Sequence, residues 1–243
     1  MKIVFIGDSH LAGMKLAEPV SEDMKNDFFV YPSSVDVNMS MLEIKDKSLI
    51  PTCDRLKEHF EMISQKSEIT FNGIGVAVLV GLRMEFPYKL FAASYSKQVM
   101  RQAMLDIVKN QSISFGLAEK IRKIDAATTI IVIPNPLISS HLKAKIIPTA
   151  PGITPKTTFG YPTKLLLDNP FLQWQSVLEQ VFKNIGVHFC FQKQATITDH
   201  IFTQPNFAVD PLSVPGIRHM NKAFWEHIWS DLNRIILELE KTS

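Results

Sequence analysis

Three uninterrupted apolar runs punctuate the chain: Gly75 to Leu82, with Val76-Ala77-Val78-Leu79-Val80 at its centre, Thr128 to Ile133, and Val187 to Phe191. A strand with one wet face alternates apolar and polar residues. A continuous run implies burial on both faces, as in a parallel sheet covered by helices. Lys2 to Ile6, closed by Gly7, and Phe28 to Tyr31, closed by Pro32, predict two further strands. Between the strands the apolar period lengthens to that of a helix. Leu11 to Ala17, Asp54 to Ser64 (Leu56, Phe60, Ile63), Tyr88 to Lys109 with a break near Asn110, Phe115 to Ile124, Leu172 to Ile185 capped by Gly186, and Asn221 to Leu239 are predicted helices. Alternating strands and helices of this kind predict an α/β fold, a three-layer α/β/α sandwich around a parallel sheet.

No repeat and no linker divides the chain, so residues 1–243 are expected to form one domain. Residues 33–53 carry no clear period. Residues 134–163 form a Pro/Gly-rich loop (Pro134, Pro136, Pro148, Pro151, Pro155, Pro162, Gly152, Gly160) that leaves the end of a central strand. In open α/β sheets that edge binds ligands. The loop is either a lid or a plain surface excursion.

Charge and composition narrow the classes further. A net charge of +2, with 46% hydrophobic and 21% charged residues, fits an ordinary globular protein and offers no basic groove for nucleic acid. The densest basic stretch, Lys120, Arg122 and Lys123 beside Glu119 and Asp125, reads as the solvated face of a helix. The apolar span Ile3 to Gly7 is too short for a signal peptide, and no stretch approaches the roughly 18 apolar residues that cross a bilayer. A soluble, cytoplasmic protein without a membrane span is the expectation. Cys53 and Cys190 are too far apart in sequence to suggest a zinc motif; a disulfide between them is left open, and Cys190 is expected on a buried strand. His141, His188 and His200 lack convergent spacing, so neither a metal nor a cofactor is expected.

The candidate chemistry begins at Gly7-Asp8-Ser9-His10, immediately after the first strand. A serine at a sharp strand-to-helix turn holds its Oγ at the sheet edge, beside helix-start N–H groups able to stabilise an oxyanion. Asp8 and Ser9 could equally cap the following helix. As a nucleophile, Ser9 also needs a base. His219 lies in a loop before the final helix, in Asp210-Pro211-Leu212-Ser213-Val214-Pro215-Gly216-Ile217-Arg218-His219-Met220-Asn221. The order Ser, Asp, His is that of hydrolases built on such sheets.

Phe5-Ile6-Gly7-Asp8-Ser9-His10-Leu11 resembles the first sequence block of the SGNH/GDSL hydrolases, a superfamily with a flavodoxin-like fold. The stretch from Thr196 to Phe207, then Asp210, His219, Asn221 and Phe224, is similar to the subset associated with bacterial surface-polysaccharide biosynthesis. The resemblance implies Ser9 as nucleophile, its N–H as an oxyanion donor, His219 as general base and Asp210 as the acid orienting it, with Asp8 and Asn221 in support. The usual acid lies three residues before the histidine, where this chain has Gly216. A backbone carbonyl or Asp199 is therefore an alternative partner for His219. His10 either contacts substrate or supports the loop.

The middle of the chain matches that superfamily less well. A glycine expected after the second strand is replaced in Pro32-Ser33-Ser34. In Gly81-Leu82-Arg83-Met84, Gly81 fits the pattern as an oxyanion donor, while Arg83 stands where an asparagine is usual. Arg83 is either a donor to an oxyanion or acidic group, or a surface residue. Asn135 is a spare amide on the same edge. The resemblance thus implies hydrolysis or transfer of an acyl ester, with acetyl as one candidate, on a carbohydrate or small molecule. A catalytically weakened binding or scaffold domain is the alternative. A nucleotide-binding protein is disfavoured because residues 7–13 do not spell a phosphate loop.

Overall fold

The computed structural model describes residues 1–19, 25–31, 37–91, 95–140, 169–199, 201–209 and 219–242. Strands β1 (Lys2–Gly7), β2 (Lys25–Val30), β6 (Val76–Val80), β7 (Thr129–Ile133) and β8 (Val187–Phe189) form one sheet in the order β2-β1-β6-β7-β8. Every neighbouring pair is parallel. Counting only these strands, the order is 2-1-3-4-5, the flavodoxin-like doubly wound arrangement. Successive connections leave in opposite directions at β1 and β6, which opens a crevice at their carboxyl ends.

Side-chain alternation along β1 sorts the core into two halves. Val4 and Ile6 join Ala77, Leu79, Ile130 and Val132 on one face. That face is covered by α2 (Asp54–Ser64), α4 (Lys97–Gln111), α5 (Ile113–Ile124) and α6 (Pro170–Phe182). Ile3 and Phe5 join Val76, Val78, Val80, Ile131 and Ile133 on the other, under α1 (Ser9–Leu16) and α7 (Lys222–Thr242). The predicted three-layer α/β/α sandwich is therefore present, and its central strands are dry on both sides.

Several predicted boundaries move. The interval Tyr88 to Lys109 divides into α3 (Tyr88–Phe91) and α4, whose N-cap Ser96 accepts a hydrogen bond from Val99 N–H. Ser112 ends α4 and caps α5, accepting from Phe115 N–H. The interval without a clear period holds β3 (Leu42–Lys45) and β4 (Ser48–Pro51), which pair with β5 (Ile69–Thr70) as a small antiparallel sheet. A second antiparallel ribbon, β9 (Ile197–Thr198) and β10 (Phe202–Thr203), precedes α7. Strand β8 is a half-exposed edge. Cys190 is buried just beyond it, and its N–H extends the ladder to Val132 O at 3.0 Å. Both cysteines are free thiols. Burial pushes the Cys190 thiol up to about 12.

Arg122 also departs from its predicted place on a solvated helix face. Its guanidinium donates to four carbonyls, Ile185 (2.7 Å), Ala126 (2.9 Å), Thr128 (2.6 Å) and Gly186 (2.6 Å). It thereby ties the turn before β7 to the turn before β8. Lys120 reaches the Ser40 and Leu42 carbonyls next to β3. Among the described residues no helix is long and apolar enough to cross a membrane.

Candidate active site

Ser9 is the first residue of α1 and sits at the carboxyl end of β1, beside the crevice. The residue that builds this turn is Asp8. It is 6% exposed, and its carboxylate accepts the His10 N–H at 3.0 Å and the Leu82 N–H at 2.9 Å. One side chain thus caps α1 and ties it to the turn after β6. With His10 N–H bound to Asp8 and Leu11 N–H bound to Asp8 O, Ser9 N–H remains unpaired among the described residues, as does its hydroxyl. That N–H carries the positive end of the helix dipole. Asp8 alone therefore performs the capping considered for Asp8 and Ser9 together.

Gly81 has a different task from the oxyanion donor expected of it. Its N–H is bound to Ile133 O at 2.9 Å. A Cβ at Gly81 would lie 2.6 Å from Asp8 Oδ1, and its φ is +74°. Only glycine lets the Asp8 carboxylate approach this turn. Leu82 and Arg83 follow with φ of 60° and 58°, left-handed values that L side chains resist. The turn is held by Leu82 N–H on Asp8, by Leu82 O accepting from Ile113 N–H at 3.0 Å, and by Met84 N–H on Asn135 Oδ1 at 2.8 Å. Arg83 is exposed on it. Asn135 N–H returns a bond to Met84 O at 3.2 Å. Asn135 therefore pins the β6 and β7 exits together, and its amide nitrogen has no hydrogen bond among the described residues. The loop beyond is anchored as far as Ser139, which bridges to Thr203. Gln192 accepts from Leu137 N–H (2.9 Å) and donates to Thr203 Oγ1 (3.0 Å), and Tyr88 OH accepts from Ile138 N–H (3.0 Å). The remainder of the predicted 134–163 loop lies outside the described residues.

His219 comes to the same place from the other end of the chain. Residues 206–209 and 219–221 zip together. Val209 N–H donates to His219 O at 2.9 Å, Asn221 N–H to Phe207 O at 2.8 Å, and Asn221 Nδ2 to Asn206 O at 2.7 Å. Asn221 also caps α7, its Oδ1 accepting from Phe224 N–H at 3.2 Å. Phe224 is buried against Trp225 and Phe207. The asparagine and aromatic of the C-terminal pattern thus hold the loop that carries His219. Asp210, Pro32, Ser33, Ser34 and His200 lie outside the described residues. Val209, which precedes Asp210, is the residue bonded to His219, so the zip brings the flanks of the long Asp–His interval together. Asp199 lies exposed at the turn of the β9–β10 ribbon.

Ser9, His10 and His219 line one cleft of about 240 Å³, together with Gly13, Leu16, Val209, Met220, Asn221, Lys222 and Trp225. The His10 and His219 rings are 5.3 Å apart between centroids, inclined at 36°. His10 Nδ1 is buried and makes no hydrogen bond among the described residues. One bond closes the start of α7 on the segment before it, and another holds α7 against α1. Trp225 Nε1 donates to Met220 O at 3.1 Å, and Trp229 Nε1 donates to Met14 O at 2.8 Å. Gly13 and Leu16, at four and seven residues beyond Ser9, fall on the Ser9 face of α1; that spacing was the sequence signal for lining residues the motif does not name. Among the described residues no three His, Cys, Asp or Glu side chains converge as metal ligands do.

No family model matches the chain, and no curated protein does. Solved structures resemble it in architecture. The periplasmic domain of a lipopolysaccharide acetyltransferase from Salmonella ser. Paratyphi A shares 13% identity over 97% of this chain and 83% of its own, with a TM-score of 0.48. An extracellular lipase from Streptomyces rimosus shares 10% identity over 96% of this chain and 99% of its own, with a TM-score of 0.49. A GDSL-like lipase from Bacteroides thetaiotaomicron shares 10% over 98% of this chain and 88% of its own, with a TM-score of 0.40. The similarity is one of layer arrangement, a parallel sheet between helices, at low sequence identity.

Proposed function

We propose that this protein hydrolyses or transfers acyl esters through Ser9. The observation that carries the reading is the meeting of Ser9 and His219, from opposite ends of the sequence, in one cleft at the edge of a doubly wound sheet. Ser9 Oγ attacks the ester carbonyl carbon as His219 takes the hydroxyl proton. The negative charge on the carbonyl oxygen falls within the field of the α1 N-terminus, where Ser9 N–H is unengaged. As the ester C–O bond breaks, the proton on His219 passes to the departing alkoxide. Water or an acceptor hydroxyl then attacks the acyl-serine, gives its proton to His219, and Ser9 leaves with that proton. Asp210 is assigned as the acid that orients His219, and a carbohydrate hydroxyl as the alcohol, both on the sequence resemblance.

Engagement of Gly81 N–H with Ile133 favours a second reading, a weakened enzyme kept for binding. One missing oxyanion donor slows acyl transfer by about 10²–10³-fold. Fluorophosphonate labelling and hydrolysis of p-nitrophenyl acetate separate the two. An enzyme labels at Ser9, and Ser9→Ala loses both labelling and turnover with an unchanged melting temperature. Equal turnover in Ser9→Ala would refute the proposal.

A further inference from the structure

The serine turn offers an oxyanion the N–H of Ser9, whereas Gly81 N–H is committed to Ile133 O. A second donor has to come from the cleft. Of the side-chain donors that line it, Trp225 Nε1 is bound to Met220 O at 3.1 Å, and Asn221 Nδ2 to Asn206 O at 2.7 Å. The Lys222 side chain is 70% exposed and its Nζ lies 3.8 Å from Glu226 Oε1, so it is a solvated charge rather than a fixed donor. His219 is taken up as the base. His10, the residue next to the nucleophile, is left.

The surroundings of His10 fix both its place and its proton. Asp8 accepts its main-chain N–H at 3.0 Å, so the carboxylate that builds the serine turn also holds this residue. Its ring packs against those of His219 and Trp225, with centroids 5.3 Å and 6.4 Å away. Nδ1 is buried and has no hydrogen bond among the described residues. A neutral imidazole carries one N–H and one lone pair. Buried N–H groups without an acceptor are rare, and an idle acceptor is better tolerated. Nδ1 is therefore the lone-pair nitrogen, and the proton belongs on Nε2. The residue as a whole is half-buried and lines the cleft, so the open edge of the ring is the one that carries Nε2–H.

We propose that His10, as its Nε2–H tautomer, donates a hydrogen bond to the ester carbonyl oxygen as Ser9 attacks, and so supplies the oxyanion donor that Gly81 does not. The inference rests on the proposed Ser9 chemistry. A neutral imidazole can polarise a carbonyl with its one N–H. His10 keeps that proton through addition and collapse, while His219 alone takes and returns one. Two neighbouring histidines thus divide the work: one accepts, the other donates.

Removing one oxyanion donor costs about 10²–10³-fold in kcat. His10→Phe keeps an aromatic ring for packing and loses the N–H. Its kcat for p-nitrophenyl acetate should fall at least about 100-fold, with KM within about twofold, since the bond tightens only in the transition state. His10→Gln sets an amide N–H near the place of Nε2–H and should recover at least about tenfold of that loss. A residue that only packs would give the opposite order, Phe above Gln. In the wild type, the His10 imidazole nitrogen signals, identified by their loss in His10→Gln and read above about pH 8, should show a protonated Nε2 and a bare Nδ1. A kcat in His10→Phe within about threefold of wild type, Gln no better than Phe, or a proton on Nδ1 overturns this inference and leaves the Ser9 chemistry standing. If the wild type turns over no ester and Ser9 takes no fluorophosphonate, both fall. Should His10→Phe not fold, the tautomer in the wild type decides.

Discussion

Replacing Asp8 by alanine removes one carboxylate from two elements at once. Helix α1 loses its N-cap acceptor at His10 N–H, and the turn after β6 loses its tie at Leu82 N–H. An N-cap deletion costs about 1 kcal/mol. Leu82 is fully buried, so its N–H is left without a partner or water, at about 1–3 kcal/mol. The sum, about 2–4 kcal/mol, lowers the melting temperature by roughly 4–16 °C for a domain of this size. The loss is larger than for a simple surface cap because this N–H belongs to a turn whose φ values of 74°, 60° and 58° already oppose it. Asp8→Asn separates the contributions. The amide keeps one acceptor oxygen for the cap but cannot serve both donors, so about half of the loss should remain. Urea denaturation of the three proteins measures these differences. A loss below about 1 kcal/mol in Asp8→Ala, or equal losses in the two variants, would refute the bridging role.

Asn221→Ala should cost about 1–2 kcal/mol through the α7 cap, and should also lower turnover by loosening the His219 loop; denaturant titration and ester kinetics read the two effects separately. Arg122→Met leaves four carbonyls without their donor and should destabilise by about 2–4 kcal/mol, with no change in KM, since the cluster lies at the sheet edge away from Ser9. Cys190 holds its proton to about 12 when folded, against 9.0 ordinarily. The unfolded chain therefore loses that proton first as pH rises, and the stability Cys190 contributes is full below 9.0 and lost progressively towards about 12. Urea midpoints across that range should fall in the wild type and flatten in Cys190→Ala, and iodoacetamide at pH 8 should modify Cys53 well before Cys190.

How much of this was readable beforehand depended on whether local sequence and tertiary contacts agreed. Helix α2 has the bounds predicted for it, Asp54–Ser64, because Leu56 and Phe60 face the core while its other positions stay wet. Strand β6 was evident because all five of its residues are buried. Strand β3 escaped notice because only Leu42 of its four residues is buried, so no alternation reaches the sequence. The break between α3 and α4 was missed although Ser96, the α4 cap, was there to signal it. Ser9 and His219, singled out through motifs, line one cleft. Gly81 was misassigned for a physical reason. A glycine after a strand serves equally as an N–H donor or as a place for another group to approach, and only the Asp8 carboxylate, 73 positions earlier, decides between them.

The latch between Trp229 and Met14 has a consequence for biosynthesis. A ribosome that has released β1 and α1 has made the serine turn, but the layer that dries Phe5, Leu11 and Met14 emerges only with α7, more than 200 residues later. At about 5–20 residues per second, that interval leaves an apolar sheet face uncovered for roughly 10–40 seconds. That face therefore stays uncovered throughout elongation, and the Ser9 turn meets the His219 loop only when α7 closes over α1.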